Sequence, residues 1–246
     1  EKLLNTCDKN KMNPEINKSP EKKINYLLLE KDVWIFDLDN TLYPADADLF
    51  PQIDVLMGSY ISNLLNVDLV EAKKIQKGFF VSHGTTLKGL MEVYDIDPQH
   101  FMNFVHDIDL SPIDKNEKLD EYLKNLPGQK LVFTNGSVDH ADRVLNKLGI
   151  KNNFSGVFDI SHSDYIPKPN PEAYDDFIDH FSIDPQKAVM VEDMARNLEP
   201  AYIRGMSTVW IKTGSGWGNL GYSSDFIDHE IGDLDSWLKN LLEKED

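Results

Sequence analysis

Short apolar segments alternate with amphipathic segments along most of the chain. The apolar segments are rich in β-branched and aromatic residues, which is typical of buried strands. They predict strands at Asp32–Leu38, Lys130–Thr134, Gly156–Ile160, Ala188–Glu192 and Thr208–Lys212. The segments between them repeat apolar residues with helical spacing, and such alternation is typical of a parallel sheet with helices on both faces. The pattern therefore predicts an α/β protein in which ligands bind at the carboxyl ends of the strands.

Boundary signals support several of the predicted helices. A helix over Ser137–Leu148 begins with a favourable N-cap residue, and Gly149 follows its end. Another helix runs over Asn170–Phe181, with Pro171 at its first helical position. A last amphipathic helix is predicted over Asp233–Leu242.

One region interrupts the alternation of strands and helices. Between Phe50 and Ser111 the pattern predicts helices at residues 51–65, 68–80, 86–94 and 98–106 and no strand. Such an insert after the first strand indicates a small helical bundle that acts as a lid over the strand ends. We therefore expect a mobile N-terminal tail at residues 1–24, an α/β core formed by residues 25–50 and 112–246, and a helical cap at residues 51–111.

Composition narrows the classes of function. The net charge of −17 repels nucleic acid backbones and anionic membranes. The single cysteine, Cys7, excludes an internal disulfide and fits a reducing compartment. No apolar run has the length of a membrane span or a signal peptide. We expect a cytoplasmic protein that binds neither a nucleic acid polymer nor a membrane.

Polar side chains stand where the predicted strands end. They come from three strands and from an extended segment between two prolines: Asp37 and Asp39, Thr134 and Asn135, Glu192 and Asp193, and Lys168. Because the carboxyl ends of parallel strands meet at one edge of a sheet, these groups should converge. A cluster of carboxylate oxygens suits Mg²⁺, and the cation would remove the repulsion between Asp37 and Asp39.

The two aspartates suggest a reaction. Residues two apart on a strand face the same side, so Asp37 and Asp39 can reach one substrate. One carboxylate can attack phosphorus while the other donates a proton to the leaving oxygen and later activates water. A divalent metal and Lys168 would neutralise the transferring phosphoryl oxygens. The residues therefore predict an enzyme that hydrolyses a small phosphorylated metabolite.

Four ordered segments, FDLDNTLYP, FTNGS, PKP and VEDMARN, resemble the motifs of the haloacid dehalogenase (HAD) superfamily of phosphohydrolases. The segments DNTLYP, HGTTLKGL, VHDIDLS and EDMARNL resemble its pyrimidine 5′-nucleotidase-like group. The resemblance implies a Rossmann-like parallel sheet, the HAD core, with an inserted small α-helical cap domain. It also implies a Mg²⁺-dependent phosphatase that forms an aspartyl-phosphate and acts on pyrimidine nucleoside 5′-monophosphates such as UMP or CMP.

The resemblance also implies roles for single residues. Asp37 would be the nucleophile and Asp39 the general acid and base. The phosphate would be bound by Thr134, Asn135 and Lys168. The metal would be held by the Asp37 carboxylate, the Asp39 carbonyl and Asp193, with Glu192 binding directly or through water. Asn197 would support the metal loop. Substrate contacts from the cap are expected at His83, Thr85, Thr86 and Lys88, and His83 replaces the aromatic residue expected before Gly84.

Other readings of the same residues are less favoured. Dehalogenases resemble this chain but lack the second aspartate, so Asp39 argues against that branch. A sugar phosphatase or phosphomutase would share the whole core and differ in the cap. A non-catalytic phosphometabolite-binding protein should lack one of Asp37, Asp39, Lys168 or Asp193, and all four are present.

Some further signals are expected to be structural. The segment GWGNLG follows a strand, but no helix opens after it, which indicates a glycine-rich turn and not a dinucleotide site. His83 and His106 are more often packed or surface histidines than ligands. Trp210, Trp217 and Tyr222 are more often core residues than platforms for a nucleobase.

Overall fold

The computed structural model describes residues 27–243, so the predicted tail at residues 1–24 lies outside the described residues. Within residues 27–243, six parallel strands form one sheet in the order β3-β2-β1-β4-β5-β6. The strands are β1 Val33–Phe36, β2 Gln129–Phe133, β3 Gly156–Phe158, β4 Ala188–Glu192, β5 Ser207–Ile211 and β6 His229–Ile231. The predicted α/β fold with a parallel sheet is confirmed.

Helices fill most of the segments between the strands. Those between β1 and β2 are α1 Leu49–Leu65, α2 Leu69–His83, α3 Thr86–Tyr94 and α4 Pro98–Val105. We call residues 49–105 the helical insert. The later helices are α5 Glu117–Asn125, α6 Val138–Leu148, α7 Pro171–Phe181, α8 Glu199–Ile203 and α9 Leu234–Leu242. The four helices predicted in the insert are found within a few residues of their predicted bounds, and the division into core and cap domains stays a prediction.

The sheet is covered on both faces, which explains why its central strand is apolar throughout. Trp34 and Phe36 of β1 pack in a cluster with buried residues of α5, α6, α9 and the insert. Val33 and Ile35 pack on the opposite face with residues of α7 and α8. Successive side chains of a strand point to opposite faces, so a strand buried on both sides carries no polar alternation.

The chain leaves the sheet at the residues that matter for the site. The first strand was expected to reach Leu38, but it ends at Phe36. The Asp37 N–H still donates to the Val191 carbonyl at 3.0 Å, so the aspartate is anchored to β4 as the chain turns away. The Ser137 side chain accepts from the His140 N–H, as its predicted capping role requires, and Gly149 adopts a φ of 74° after α6.

Three elements lie outside the predictions. The strand β6 has three residues at the sheet edge, too few for an alternating pattern to be recognised. Helix α5 buries Leu119 and Leu123 on an otherwise polar segment, and α8 has only five residues. Within residues 27–243, no helix combines the length and the apolar character that crossing a membrane requires.

Candidate active site

A buried lysine links two carboxylates at the carboxyl end of the sheet. Lys168 is 1% exposed, and its Nζ donates to Asp37 Oδ1 at 2.8 Å and to Glu192 Oε2 at 2.7 Å. A third hydrogen bond runs to the Phe133 carbonyl at 2.7 Å. Burial alone would lower the pKa of Lys168, but the two carboxylates raise it above its ordinary value. The side chain is therefore a fixed positive charge at the end of β1 and β4.

The negative charge around Lys168 exceeds its single positive charge. Asp37, Glu192 and Asp193 are buried, and each has an oxygen within 4.8 Å of an oxygen of the others. Burial and the Glu192 charge raise the pKa of Asp37 to about 7, although Lys168 opposes the shift. Burial and the charges of Glu192 and Asp37 raise the pKa of Asp193 well above its ordinary value. A buried cluster of oxygen ligands with uncompensated charge fits a hard divalent cation.

Asp39 has different neighbours from Asp37. His140 Nε2 lies 2.8 Å from Asp39 Oδ1, and the Tyr43 hydroxyl donates to the same oxygen at 2.6 Å. Burial alone would raise the pKa of Asp39, but the interactions with His140 and Tyr43 outweigh it and lower the pKa to about 2. Asp39 is therefore an ionised carboxylate at neutral pH, able to accept a proton.

Sequence reasoning did not identify Tyr43 and His140 as site residues. Tyr43 stands in the segment FDLDNTLYP, four residues after Asp39. His140 lies in the first turn of α6, the helix that follows β2, and a polar residue in that turn is the signal that the sequence offers.

The residues that directly follow β2 lie at the floor of the site. Thr134 is buried, and its Oγ1 accepts from the Gly136 N–H at 2.9 Å. The Asn135 side chain forms two hydrogen bonds with the backbone of Lys168, accepting from its N–H at 2.8 Å and donating to its carbonyl at 3.1 Å. The side-chain amide of Asn135 thus holds the backbone of Lys168 in place, and both of its polar atoms are used in these two hydrogen bonds.

The loop after β4 is held by three other segments. The Asp193 carbonyl accepts from Trp210 Nε1 at 2.9 Å, so this tryptophan is a core residue, as expected. The Ala195 N–H donates to the Gly218 carbonyl at 2.9 Å, and a Cβ at Gly218 would lie 3.1 Å from the Asp193 carbonyl. Asn197 is buried, and its carbonyl accepts from the Tyr174 hydroxyl. The segment GWGNLG is therefore a turn that packs on the acidic loop, as predicted.

A cavity of about 230 Å³ opens between the strand ends and the helical insert. The predicted residues that line its floor are Asp37, Asp39, Thr134, Asn135, Lys168, Glu192 and Asp193. Its opposite wall is largely apolar and comes from the insert, where it includes Phe50, Ile53, Phe80, Phe101 and Met102. All the core residues predicted for the site are thus brought to one cavity.

Comparison with known families agrees with this arrangement. Residues 31–201 match the haloacid dehalogenase-like hydrolases. The chain belongs to this family. A relative of this hydrolase, Phosphate metabolism protein 8 of Saccharomyces cerevisiae, is 29% identical over 164 residues, which are 59% of this chain and 50% of that protein. The match thus spans about half the length of the yeast relative.

Solved structures share the fold of this haloacid dehalogenase-like hydrolase at low sequence identity. A HAD phosphatase from Thermococcus onnurineus is 19% identical with a TM-score of 0.57, covering 85% of this chain and 97% of that chain. The HAD-hydrolase YfnB from Bacillus subtilis, bound to magnesium, is 15% identical with a TM-score of 0.55, covering 86% and 99%. L-2-haloacid dehalogenase from Xanthobacter autotrophicus is 14% identical with a TM-score of 0.53, covering 85% and 97%. Phosphatases and dehalogenases thus share this fold.

The predicted substrate contacts of the hydrolase in the insert divide into two pairs. Thr85 and Thr86 line the cavity. His83 and Lys88 do not belong to the cavity lining, and both approach Glu92, at 3.5 Å and 3.3 Å. His106 is a packed histidine, as expected, but it also lines the cavity.

The insert also contacts the core of the hydrolase through Arg196 and Trp217. Arg196 donates to the Gly84 carbonyl at 3.0 Å, and its guanidinium lies 4.4 Å from the centre of the Phe80 ring. Phe80 meets Trp217 edge to face, with ring centres 5.1 Å apart. Trp217 therefore lines the cavity and is not a core residue, which corrects the expectation from sequence. Tyr222 is exposed, so the expectation of a core residue is wrong for it too; it lies outside the cavity lining, and its hydroxyl donates to Glu230 at 2.6 Å.

Proposed function

We propose that this hydrolase is a Mg²⁺-dependent phosphatase that cleaves phosphomonoesters through an aspartyl-phosphate. The observation that carries the proposal is the pairing of two unlike aspartates in one cavity. Asp37 lies beside Lys168 and the acidic pair that follows β4, and Asp39 lies beside His140 and Tyr43. One carboxylate thus lies beside a positive charge and two further carboxylates, and the other lies beside proton-bearing groups.

The reaction has two steps. In the first, a carboxylate oxygen of Asp37 bonds to phosphorus as the bond from phosphorus to the ester oxygen breaks, and Asp39 gives a proton to that oxygen. In the second, Asp39 takes a proton from water, whose oxygen attacks phosphorus. The bond from phosphorus to Asp37 then breaks, phosphate leaves, and Asp39 again carries a proton. A phosphate dianion beside Asp39 raises the pKa of its carboxyl and favours the protonated form that the first step needs.

Positive charge at the floor of the cavity would stabilise the transferring phosphoryl group. Lys168 supplies a fixed charge next to Asp37, and Thr134 and the amides that follow β2 lie at the same floor. Mg²⁺ would be held by Asp37, Asp193 and the Asp39 carbonyl, with Glu192 as a direct or water-mediated ligand. Bound there, it would supply charge to the phosphoryl oxygens. The magnesium-bound form of the structural neighbour YfnB supports this choice of ion.

Asp39 and Asp193 also favour a phosphatase over a dehalogenase. Phosphoryl transfer requires protonation of an alkoxide and neutralisation of several negative oxygens. An aspartate for proton transfer and a buried acidic cluster for a cation match these requirements. Displacement of a halide requires neither, because halide leaves without a proton.

We further propose that the substrate is a pyrimidine nucleoside 5′-monophosphate and that the insert, as a cap, selects it in the cytoplasm. The resemblance of DNTLYP, HGTTLKGL and EDMARNL to pyrimidine 5′-nucleotidases supports the substrate class. The aromatic rings of Phe80 and Trp217 at the cavity offer surfaces on which a flat base can pack.

The test is phosphate release from UMP, CMP, AMP, hexose phosphates and phosphoglycolate, with Mg²⁺ and with excess chelator. We expect chelator-sensitive hydrolysis that favours UMP and CMP. Chelator-sensitive hydrolysis that favours hexose phosphates would keep the reaction and indicate a sugar phosphatase. Transfer of phosphate between sugar positions would indicate a phosphomutase, and binding of these compounds without turnover would indicate a non-catalytic phosphometabolite-binding protein.

A further inference from the structure

The two oxygens of the Asp39 carboxylate are used differently. Oδ1 is the partner of both His140 and Tyr43, at 2.8 Å and 2.6 Å. Within residues 27–243, no hydrogen bond ends on Oδ2, which lies 3.7 Å from the position of a Cβ built on Gly136. Oδ1 thus anchors the carboxylate, and Oδ2 is left to exchange a proton with a substrate in the cavity.

His140 is itself held on several sides. Its side chain is fully buried, and its ring stacks on His106 with centres 4.3 Å apart and planes 7° apart. Its backbone N–H donates to the Ser137 side chain that caps α6. The ring nitrogen Nδ1 has no hydrogen-bond partner among the described residues, so Asp39 is the polar group toward which the imidazole is directed.

His106 is fixed by the same helix. Ser137 Oγ lies 3.0 Å from His106 Nδ1, and Arg143 of α6 donates to the His106 carbonyl at 2.7 Å. Burial lowers the pKa of His106 to about 3, so this ring is neutral at physiological pH. A neutral ring can lie flat against a second imidazole without charge repulsion. His106, which directly follows the helical insert, is thereby packed on His140, which contacts Asp39.

We propose that His140 is a positioning residue that turns Oδ2 of Asp39 toward the cavity, and that the stack on His106 keeps its imidazole in place. The proposal rests on the proposed phosphatase function, because it assigns Asp39 the proton transfers. Rotation of an aspartate carboxylate about χ2 is broad and not confined to narrow staggered wells. Two hydrogen bonds to one oxygen restrict that rotation, and bonds to an ionised group are strong enough to do so.

The kinetic test compares two leaving groups. An alkyl phosphate needs a proton on its leaving oxygen, whereas p-nitrophenyl phosphate releases a stable phenolate. In His140→Leu, we expect kcat/KM to fall about 100-fold for the alkyl ester and less than about tenfold for p-nitrophenyl phosphate, because general acid catalysis contributes at least ~100-fold. In His140→Gln, whose amide can still donate to Oδ1, we expect most of the activity on the alkyl ester to be retained.

A matched control is available elsewhere in the chain. His162 also contacts an aspartate, with Nδ1 2.7 Å from Asp159 Oδ1, and this pair does not belong to the cavity lining. His162→Leu should leave the ratio of kcat/KM for the two esters unchanged. If His140→Leu does not fold, His106→Ala replaces it. That variant removes the stack on His140 and leaves the Asp39 and His140 side chains present. We expect kcat/KM to fall more for the alkyl ester than for p-nitrophenyl phosphate, with a smaller difference between the two losses than in His140→Leu.

A measurement without turnover separates this proposal from the proposed function. The ¹⁵N NMR signal of His140 Nε2 should shift in Asp39→Asn and should not shift in Asp159→Asn. Equal losses of kcat/KM for both esters in His140→Leu would overturn the positioning role. An Nε2 signal whose chemical shift does not change in Asp39→Asn would also overturn it. A wild-type protein that hydrolyses neither ester would overturn the phosphatase function and with it the proton transfers assigned to Asp39.

Discussion

Asp37 and Asp39 are the same residue type, two positions apart, and their surroundings shift their pKa values in opposite directions. Burial and Glu192 raise the pKa of Asp37 to about 7, whereas His140 and Tyr43 outweigh burial and lower that of Asp39 to about 2. Part of the difference comes from a distant segment, since His140 follows Asp39 by 101 positions, and part from Tyr43, four positions after Asp39. Two carboxylates on one strand end thus acquire separate tasks through their environments.

The two aspartates also differ in the conditions that set their protonation states. Asp37 lies in a buried cluster of carboxylates that raises its pKa to about 7, so a cation bound there would favour its ionised form. Asp39 is ionised without a cation, and the approach of a negative phosphate raises the pKa of its carboxyl and so favours its protonation. Under the proposed mechanism, a bound cation would favour the ionised form of Asp37, and a bound substrate would favour the protonated form of Asp39.

The largest expected effect is the fall in kcat when the proposed nucleophile, Asp37, is replaced. Asp37→Asn replaces the attacking oxygen by an amide, so we expect kcat to fall at least about 10⁴-fold, in the range seen when catalytic nucleophiles are removed. The measurement is steady-state phosphate release with saturating Mg²⁺. Asp175→Asn is the control, because Asp175 is an exposed partner of Arg204 outside the cavity. Activity of Asp37→Asn within tenfold of wild type would exclude Asp37 as the nucleophile.

Asp39→Asn should break the reaction at a different step. Formation of the aspartyl-phosphate from p-nitrophenyl phosphate needs little acid catalysis, because the phenolate leaves without a proton. Hydrolysis of the aspartyl-phosphate needs a base to activate water, so we expect kcat to fall about 10³-fold. A burst of one p-nitrophenol per protein should precede slow turnover, and the phosphorylated protein should accumulate. Rapid quenching with mass spectrometry measures both. A variant that is slow without a burst would show that Asp39 does not act as the base.

Lys168→Met removes the positive charge that lies beside Asp37 and not beside Asp39. Removing one partner of a buried ion pair leaves Asp37 and Glu192 uncompensated, which costs about 3–5 kcal/mol in the free energy of unfolding. The loss should be measured by urea unfolding without Mg²⁺ and should shrink when Mg²⁺ is added. The control is Lys187→Met, which breaks an exposed pair with Asp32 and should cost less than about 1 kcal/mol.

The residues of this comparison differ in how well a sequence can reveal them. Asp37, Asp39 and Glu192-Asp193 are visible because each follows an apolar strand, and strand ends of a parallel sheet converge regardless of the loops between them. Lys168 is recognisable through its place between two prolines and before a helix. The parallel sheet and the helical insert follow from apolar periodicity for the same reason, since local pattern determines them.

Of the two partners of Asp39, Tyr43 is local, but His140 depends on packing that no local pattern encodes. His140 reaches Asp39 because α6 follows the neighbouring strand β2, and its ring stacks on His106, which directly follows the insert. In the insert, His83 sits in a polar segment that suggests the substrate side, yet it approaches Glu92 on the next helix. Lys88 approaches the same carboxylate from one turn earlier in its own helix. Contacts between elements decide side-chain directions such as that of His83.

The smallest expected effect is a pH dependence of metal binding that belongs to Asp37 and not to Asp39. The pKa of Asp37 is raised from 3.8 to about 7, so between these values the metal-free folded protein holds a proton that the unfolded chain releases. The free energy of unfolding without Mg²⁺ should therefore fall, by this contribution, as pH rises from about 4 to about 7. Mg²⁺ needs the carboxylate, so its Kd should rise about tenfold for each pH unit below about 7.

Calorimetric titration of Mg²⁺ in buffers of different ionisation enthalpy measures both the Kd and the protons released. Asp37→Asn should remove the proton released by that carboxyl, whereas Asp39→Asn should leave it, because Asp39 is already ionised over this range. Asp193, whose pKa is also raised by burial and by Glu192, adds a second proton to this dependence. A Kd that does not change between about pH 5 and 7 would mean that Mg²⁺ does not displace a proton from Asp37, and the two aspartates would then differ in geometry alone.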